Sequence, residues 1–248
     1  MAVTVVIPDL QGIPDRVDAA LDAAHDLGAS RIIQLGDGTD NRTAQAEGDW
    51  YVINRLLDAG VELHIGNHEA SVVSPAPSYP FGGVDSTTEA SRLVADLYQD
   101  GAYRIATAVG PTLITHAGLL EGPWTRDGEI DPSLEAHEVA KILNERLENL
   151  DGFDPVISSV PIIRGGRQAV GGVLWADFGE HVRQMRMNQS GFHGFQIIGH
   201  TPNSAAVISP RIAAIDTRNE HGVTIAYTAD NGVSWKYKVA QIEGESND

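Results

Sequence analysis

Five short apolar runs in this chain each stop at a residue able to hold a cation, and that repetition narrows the folds open to it. Val5-Val6-Ile7 leads to Asp9 and Gln11. Ile32-Ile33-Gln34-Leu35 leads to Asp37 and Asp40, Leu63-His64-Ile65 to Asn67 and His68, Leu113-Ile114-Thr115 to His116, and Ile197-Ile198 to His200. Runs of this length, closed by Gly or Pro turns, read as buried strands. In open α/β sheets the carboxyl ends of the strands border the crevice where ligands bind, so side chains remote in sequence can meet there. Asp, Asn and His at such ends form a candidate site for divalent cations.

The intervening segments support a wound sheet. Pro8 halts the first run, and from Pro14 the apolar residues Val17, Ala20, Leu21, Ala24 and Leu27 fall at helical spacing until Gly28. Arg31 to Leu35 then makes the second strand of a β-α-β unit, whose crossover requires parallel strands. The pattern repeats, with a helix from about Thr43 to Ala59, a stop at Gly60 and a strand over Val61 to Ile65. Val72 to Val84 holds three prolines and Gly82-Gly83 and reads as a loop over the site, and the stretch Ser74 to Asp85, with the insertion at about 121–190, is expected to choose the substrate. Ser86 with Glu89 looks like a capping box for a helix reaching Gln99.

Gly110-Pro111 divides Tyr103 to Thr115 into a hairpin, so the sheet is expected to become mixed. Asp131-Pro132-Ser133 opens a helix with Val139, Ile142, Leu143, Leu147 and Leu150 on one face. Four short runs after His200, divided by turns such as Asp230-Asn231-Gly232, are expected to finish a second sheet in antiparallel fashion. The whole is expected to be one α/β domain over residues 1–248, two facing mixed sheets flanked by helices, with a partly helical, cap-like insertion at about 121–190. The polar tail Glu243 to Asp248 is expected to fray.

Composition excludes several partners. With 17 basic against 34 acidic residues the net charge is −17, and no basic stripe for a nucleic-acid backbone is present. No stretch approaches the ~20 apolar residues of a membrane span, and Met1 to Ile7 lacks the basic flank and long apolar core of a leader, so the chain is expected to be soluble and not exported. The chain contains no Cys, which removes thiolate ligands and disulfides and fits a reducing cytoplasm. The expected partner is a small phosphorylated substrate or a phosphoprotein.

If Asp37 bridges two cations, with Asp9 and Gln11 on one side and Asn67, His116 and His200 on the other, a water can be activated and a phosphoryl oxygen clamped between ions ~3.5–4 Å apart. Asp9-x-Gln11, Gly36-Asp37-x-x-Asp40, Gly66-Asn67-His68-Glu69, His116-Ala117-Gly118 and Gly199-His200-Thr201-Pro202 resemble, in order and rough spacing, the motifs of the calcineurin-like metallophosphoesterases. Within that superfamily the chain is similar to the phosphoprotein phosphatases of the bacteriophage lambda type and the bacterial diadenosine tetraphosphatases, with Gly172-Val173-Leu174-Trp175 matching that branch's Trp segment. The resemblance implies that Asp9 and Gln11 serve the first metal, Asp37 bridges, and Asn67, His116 and His200 serve the second. It implies His68 as general acid with Asp40 keeping it protonated, and two divalent ions, manganese foremost, with magnesium, iron or zinc as alternatives.

Three positions depart from the pattern. Gln11 stands where the family has His, and a neutral amide oxygen turns the first site toward manganese or magnesium. Asn41 stands where an Arg is usual, with Arg42 displaced by one residue, and Ile65 replaces the Arg before the Gly-Asn-His-Glu motif. The phosphate contact then falls to Arg42, or to Arg164 or Arg167 in the turn before the Trp segment, Arg164 being preferred.

Taken singly, Asp9 reads as a helix cap and Asp37 and Asp40 as turn formers. Their recurrence at five strand ends outweighs those readings. His25, His64, His137, His181, His193 and His221 are expected to be ordinary surface or satisfied residues, and Trp175 to pack beneath the site. The reaction expected is phosphomonoester hydrolysis of the serine/threonine phosphatase type. Hydrolysis of a nucleotide or diadenosine polyphosphate is the second enzyme reading, and a phosphate-binding module weakened at Gln11 is the alternative from another class.

Overall fold

The β-branched run Val3–Ile7 forms β1, and Pro8, which lacks an N–H, ends it. The remaining strands are β2 (Ala29–Gln34), β3 (Glu62–His64), β4 (Tyr103–Arg104), β5 (Ala106–Val109), β6 (Thr112–Thr115), β7 (Phe195–Ile198), β8 (Val207–Ile208), β9 (Ile212–Ala214), β10 (Gly222–Thr228) and β11 (Lys236–Gln241). The helices are α1 (Pro14–Asp26), α2 (Ala46–Asp58), α3 (Asn67–Val73), α4 (Glu89–Gln99), α5 (Pro123–Arg126), α6 (Ala136–Glu145), α7 (Pro155–Ser158) and α8 (Phe178–Arg186). This computed structural model describes residues 2–41, 43–74, 85–150, 154–217 and 221–242. Arg42, nearly all of the loop between Ser74 and Asp85, and the tail from Glu243 lie outside the described residues.

Two mixed sheets result. One runs β11-β10-β1-β2-β3-β4 and the other β5-β6-β7-β9-β8. β1, β2, β3 and β4 are parallel neighbours, as the helical crossovers α1 and α2 demand. In the second sheet β6, β7 and β9 are parallel, while β5 and β8 run antiparallel at its edges.

Strand alternation decides which residues lie between the sheets. Val6, Ile33 and Leu35 of the first sheet pack with Ile114, Ile197, Ala213 and Ile215 of the second in one apolar cluster. Val5 and Ile7 face the other way, into a larger cluster with Val17 and Leu21 of α1 and Val52 and Leu56 of α2. That cluster also takes in Leu113, Val139, Leu143, Trp124, Val156 and Trp175, so the segment from α5 to Trp175 is packed into the core while serving as the crossover from β6 to β7. Between β6 and β7 the described residues contain helices and turns and no strand.

Several expectations are corrected. Val72 and Val73 belong to α3, which starts at Asn67 because extended Gly66 places its N–H on the Glu69 carboxylate. The cap of α4 is Thr88, whose hydroxyl accepts from Ser91 N at 3.0 Å, rather than Ser86. The helix expected from Asp131 begins only at Ala136, since Asp131 folds into a turn that takes the N–H of Ser133 at 2.9 Å. Tyr103–Arg104 closes the first sheet, and the hairpin beyond it opens the second. β10 and β11 do not finish the second sheet. They return to the first, where β10 pairs antiparallel with β1. Among the described residues no helix is long and apolar enough to cross a membrane.

Two histidines hold the frame. His64, fully buried on β3, reaches the other sheet through Nε2, 2.8 Å from Thr107 Oγ1. His181, expected at the surface, is buried on α8 with Nε2 2.9 Å from the Ala117 carbonyl. Desolvation first, and then the neighbouring His116, Arg104 and Arg31, lower His64 from 6.5 to about 3. Desolvation lowers His181 from 6.5 to about 4, against the opposing pull of the Ala117 carbonyl and Asp177. Both rings fold as the neutral form, so the unfolded chain binds more protons between pH 4 and 6.5 and stability must fall as pH falls through that window. The stability advantage of the parent protein over His181→Gln, read by urea unfolding, is expected to shrink by ~2 kcal/mol between pH 7 and pH 5. A pH-independent difference would mean that His181 is not buried neutral.

Candidate metal centre

The parallel register of β1, β2 and β3 brings Asp9, Asp37 and Asn67 side by side at their carboxyl ends, and that of β6 and β7 does the same for His116 and His200. Because these ends face each other across the apolar seam, the first sheet supplies carboxylates and an amide and the second supplies imidazoles. Asp37, His116 and His200 each offer a ligand atom within 4.8 Å of the others, and all three are buried. His116 Nε2 is 3.6 Å from Asp37 Oδ1, 3.0 Å from Asn67 Oδ1 and 3.0 Å from His200 Nδ1. Asp9 joins through Oδ1, which accepts the N–H of His200 at 3.0 Å, while its Oδ2 is buried with no hydrogen-bond partner.

The donor set fits a cation. His116 Nδ1 lies 3.0 Å from the Leu35 carbonyl, which can only accept, so Nδ1 carries the proton and Nε2 presents a bare lone pair. That lone pair faces the acceptor oxygens of Asp37 and Asn67. Donors ~2.1 Å from one ion and at right angles to each other lie about 3 Å apart, close to the separations found here. Burial, more than any charge, lowers His116, and burial with the neighbouring His116, Arg164 and His68 lowers His200 well below the ordinary value. Both rings are thus held neutral, the form that ligates. Burial, then Asp216 and Asp37, push Asp9 well above the ordinary carboxylate range. Acidic groups this crowded repel until a positive charge is placed among them.

The loops are held so that the carboxylates stay crowded. Gln11, Asp37 and His200 all have left-handed backbones, with φ of 54°, 52° and 64°. Such conformations are costly for non-glycine residues and cluster at functional sites. A Cβ at Gly66 would lie 2.1 Å from Asp37 Oδ1, and one at Gly199 would lie 2.2 Å from Asp9 Oδ1. Glycine is therefore required before Asn67 and His200 to leave room for the neighbouring strand's acid. Gln11 donates from Nε2 to Asp37 Oδ2 at 3.3 Å and so orients that carboxylate; ligation by Gln11 needs its amide oxygen to turn inward.

His68 stands at the rim, half-buried, with Nε2 3.7 Å from Asp37 Oδ2 and Nδ1 3.4 Å from Asp40 Oδ1. Arg164 comes to the same region. Its Nε is 2.9 Å from Asp177 Oδ2 and its Nη2 donates to Thr201 Oγ1 at 2.7 Å, and its charge helps to lower both His116 and His200. Arg167, in the same turn, is exposed. Trp175 is fully buried and meets the His200 ring edge-on, with centroids 6.1 Å apart, which is the packing role expected of it.

Three buried acids at the site were given no role by the sequence reading. Glu69 accepts from Asp37 N at 2.8 Å, Gly66 N at 2.9 Å, Thr39 N at 3.0 Å and Thr39 Oγ1 at 2.8 Å. Asp49 accepts from Asp40 N at 2.7 Å and Asn41 N at 2.8 Å. Asp216 lies near Asp9, 4.0 Å from Arg16 Nη2. Two of them were legible. Asp216 ends a sixth apolar run, Ile212 to Ile215, and Asp49 shares the helical stripe of Val52, Ile53 and Leu56, where a charge needs a reason.

No protein-family model matches the sequence, and no curated protein matches it. Solved structures do resemble it. A protein serine/threonine phosphatase from Saccharomyces cerevisiae aligns over 99% of this chain and 82% of its own, with TM-score 0.52 and 14% identity. A hypothetical protein from Pyrococcus horikoshii OT3 aligns over 98% of this chain and 89% of its own, with TM-score 0.51 and 11% identity. The chain shares its fold with these two structures. At these identities the likeness is one of architecture: two mixed sheets flanked by helices, as the motifs implied.

Manganese at a hundred times its dissociation constant is expected to stabilise the protein by about 2.7 kcal/mol in thermal or denaturant unfolding. Asp37→Asn, which removes the charge shared by the set, is expected to abolish that stabilisation while the metal-free protein remains folded. Undiminished stabilisation of Asp37→Asn by the ion would place the cation elsewhere.

Proposed function

We propose that this chain is a metal-dependent phosphatase that hydrolyses phosphate monoesters of the serine/threonine protein phosphatase type. The observation that carries the reading is the convergence of Asp37, His116 and His200 within 4.8 Å from strands of two different sheets. A pair of divalent ions, manganese foremost, would be held by Asp9, Gln11, Asp37, Asn67, His116 and His200, and would supply an activated water and a positive field on the phosphoryl oxygens. The likeness of fold to a serine/threonine phosphatase is compatible with a phosphoester substrate, and the assays below choose between a phosphoprotein and a dinucleoside polyphosphate. The acidic surface, −17 in net charge, opposes nucleic-acid substrates. The superfamily and branch suggested by the motifs, and a cytoplasmic setting, belong to the same proposal.

The chain's own residues divide the remaining work. Asp37 fixes the centre, since its two oxygens meet His116 and His68 N on one side and Gln11 and the His68 ring on the other. His68 is the general acid: its Nε2 stands beside Asp37, where the leaving oxygen would depart, and the Asp40 carboxylate 3.4 Å from Nδ1 favours the charged ring. Arg164, held rigid by Asp177 and Thr201, presents its guanidinium to the phosphate in place of the arginines missing at Asn41 and Ile65. Arg42 and Arg167 remain candidates for a second phosphate contact.

Para-nitrophenyl phosphate is expected to be cleaved with manganese and not after chelation and removal of metal. His68→Asn should lower kcat by ~10²–10⁴-fold with little change in KM. Arg164→Ala should act mainly on KM. In parallel assays a phosphoserine peptide should turn over faster than diadenosine tetraphosphate, and the reverse ranking would move the assignment to the dinucleotide reaction. Phosphate binding with one metal equivalent and no turnover would leave only a binding module.

A further inference from the structure

We infer that Asp49, on the first turn of α2, is a positioning residue for the pair formed by Asp40 and His68, an inference that rests on His68 acting as the acid. The side chain of Asp49 is fully buried, and its two oxygens are divided between successive backbone donors, Oδ1 with Asp40 N at 2.7 Å and Oδ2 with Asn41 N at 2.8 Å. Successive N–H groups normally diverge. They converge here where Asn41 has a left-handed backbone, φ 53°. On the other side of the same loop Glu69 takes the N–H groups of Asp37 and Thr39. The segment that carries both Asp37 and Asp40 is thus suspended between two buried carboxylates, one from α2 and one from α3. The α2 carboxylate holds the backbone N–H of Asp40, and the Asp40 side chain lies 3.4 Å from His68 Nδ1.

Packing gives no reason for an acid at this position. Asp49 shares the buried face of α2 with Val52, Ile53 and Leu56, where an apolar side chain would cost nothing in desolvation. Burial, in fact, pushes Asp49 up to about 6 despite its two backbone donors. The same helix start also anchors the adjoining loop, because Gln45 Nε2 donates to the Gly12 carbonyl at 2.7 Å. The start of α2 therefore ties the Asp9 and Asp37 loops together, and Asp49 is its contact with the acid pair.

The test uses the manganese-loaded protein and aryl phosphates whose leaving groups differ in basicity. Asp49→Asn is expected to lower kcat for phenyl phosphate by about tenfold or more, with KM within ~2-fold, while 2,4-dinitrophenyl phosphate changes by less than ~3-fold, since dinitrophenolate departs without a proton. A merely structural lesion would depress both substrates alike, and that result would overturn the inference. His68→Asn is measured beside it. If the parent hydrolyses both esters and His68→Asn shows the selectivity but Asp49→Asn does not, only the positioning role falls. If His68→Asn shows none, the assignment of the acid falls and the inference with it. A second readout needs no turnover: in metal-free Asp49→Asn, amide hydrogen exchange should accelerate at Asp40 and Asn41 and not at Asp37 or Thr39, and unchanged exchange at all four would overturn the inference. Should Asp49→Asn fail to fold, Asp49→Glu, which keeps the charge but displaces it by one methylene, is expected to give the same selectivity, and parent-like kinetics in that variant would overturn it.

Discussion

The apolar seam between the two sheets is the contact on which the rest of the molecule depends. Val6, Ile33 and Leu35 on one side meet Ile114, Ile197 and Ile215 on the other, and each such side chain contributes roughly 1.5–3 kcal/mol when buried. Two or three residues beyond Val6, Leu35, Ile114 and Ile197, the same strands end in Asp or His. Burial thus fixes the distance between two rows of polar groups that would otherwise keep apart. The carboxylates come from the β1-β2-β3 side and the imidazoles from the β6-β7 side, and neither sheet alone contains a complete ligand set.

Crowding polar groups at the end of a hydrophobic seam is costly, and the structure shows how the cost is distributed. Asp9 and Glu69 are raised mainly by burial, and His116 and His200 are lowered mainly by burial. Nearly every oxygen not aimed at the centre is tied to a backbone N–H, as with Glu69, Asp49 and Asp9 Oδ1. The atoms left over, Asp9 Oδ2 and the bare Nε2 of His116 among them, are the ones a cation would use. Strained backbones at Gln11, Asp37 and His200 belong to the same economy, since the packed loops around them hold conformations that those residues would not adopt alone.

The division of the chain after β4 has a similar cause. Tyr103–Arg104 completes the first sheet and Ala106 begins the second, so a single residue, the buried Ile105, carries the chain across. Asn144 of α6 takes the freed N–H groups of Ile105 and Ala106 at 2.8 and 3.1 Å, which satisfies the backbone where the ladder breaks. His64 bridges the same corner to Thr107. The hairpin was legible from Gly110-Pro111, but the change of sheet was not, because both sides read as short apolar runs.

From the sequence alone came the parallel strands with their helices, the five strand ends and the residue types gathered there, since hydrophobic period, Gly and Pro stops and ligand chemistry are local properties. The motif order also pointed to the fold that the solved structures share. Tertiary structure decided the rest: that β10 and β11 return to β1, that His181 is buried, that Gln11 faces Asp37 through its amide nitrogen, and that Asp49, Glu69 and Asp216 converge on the site. Each of these depends on which surfaces meet across the seam, and a distance between residues nearly two hundred positions apart, such as Asp9 and His200, is set by packing and not by any local pattern.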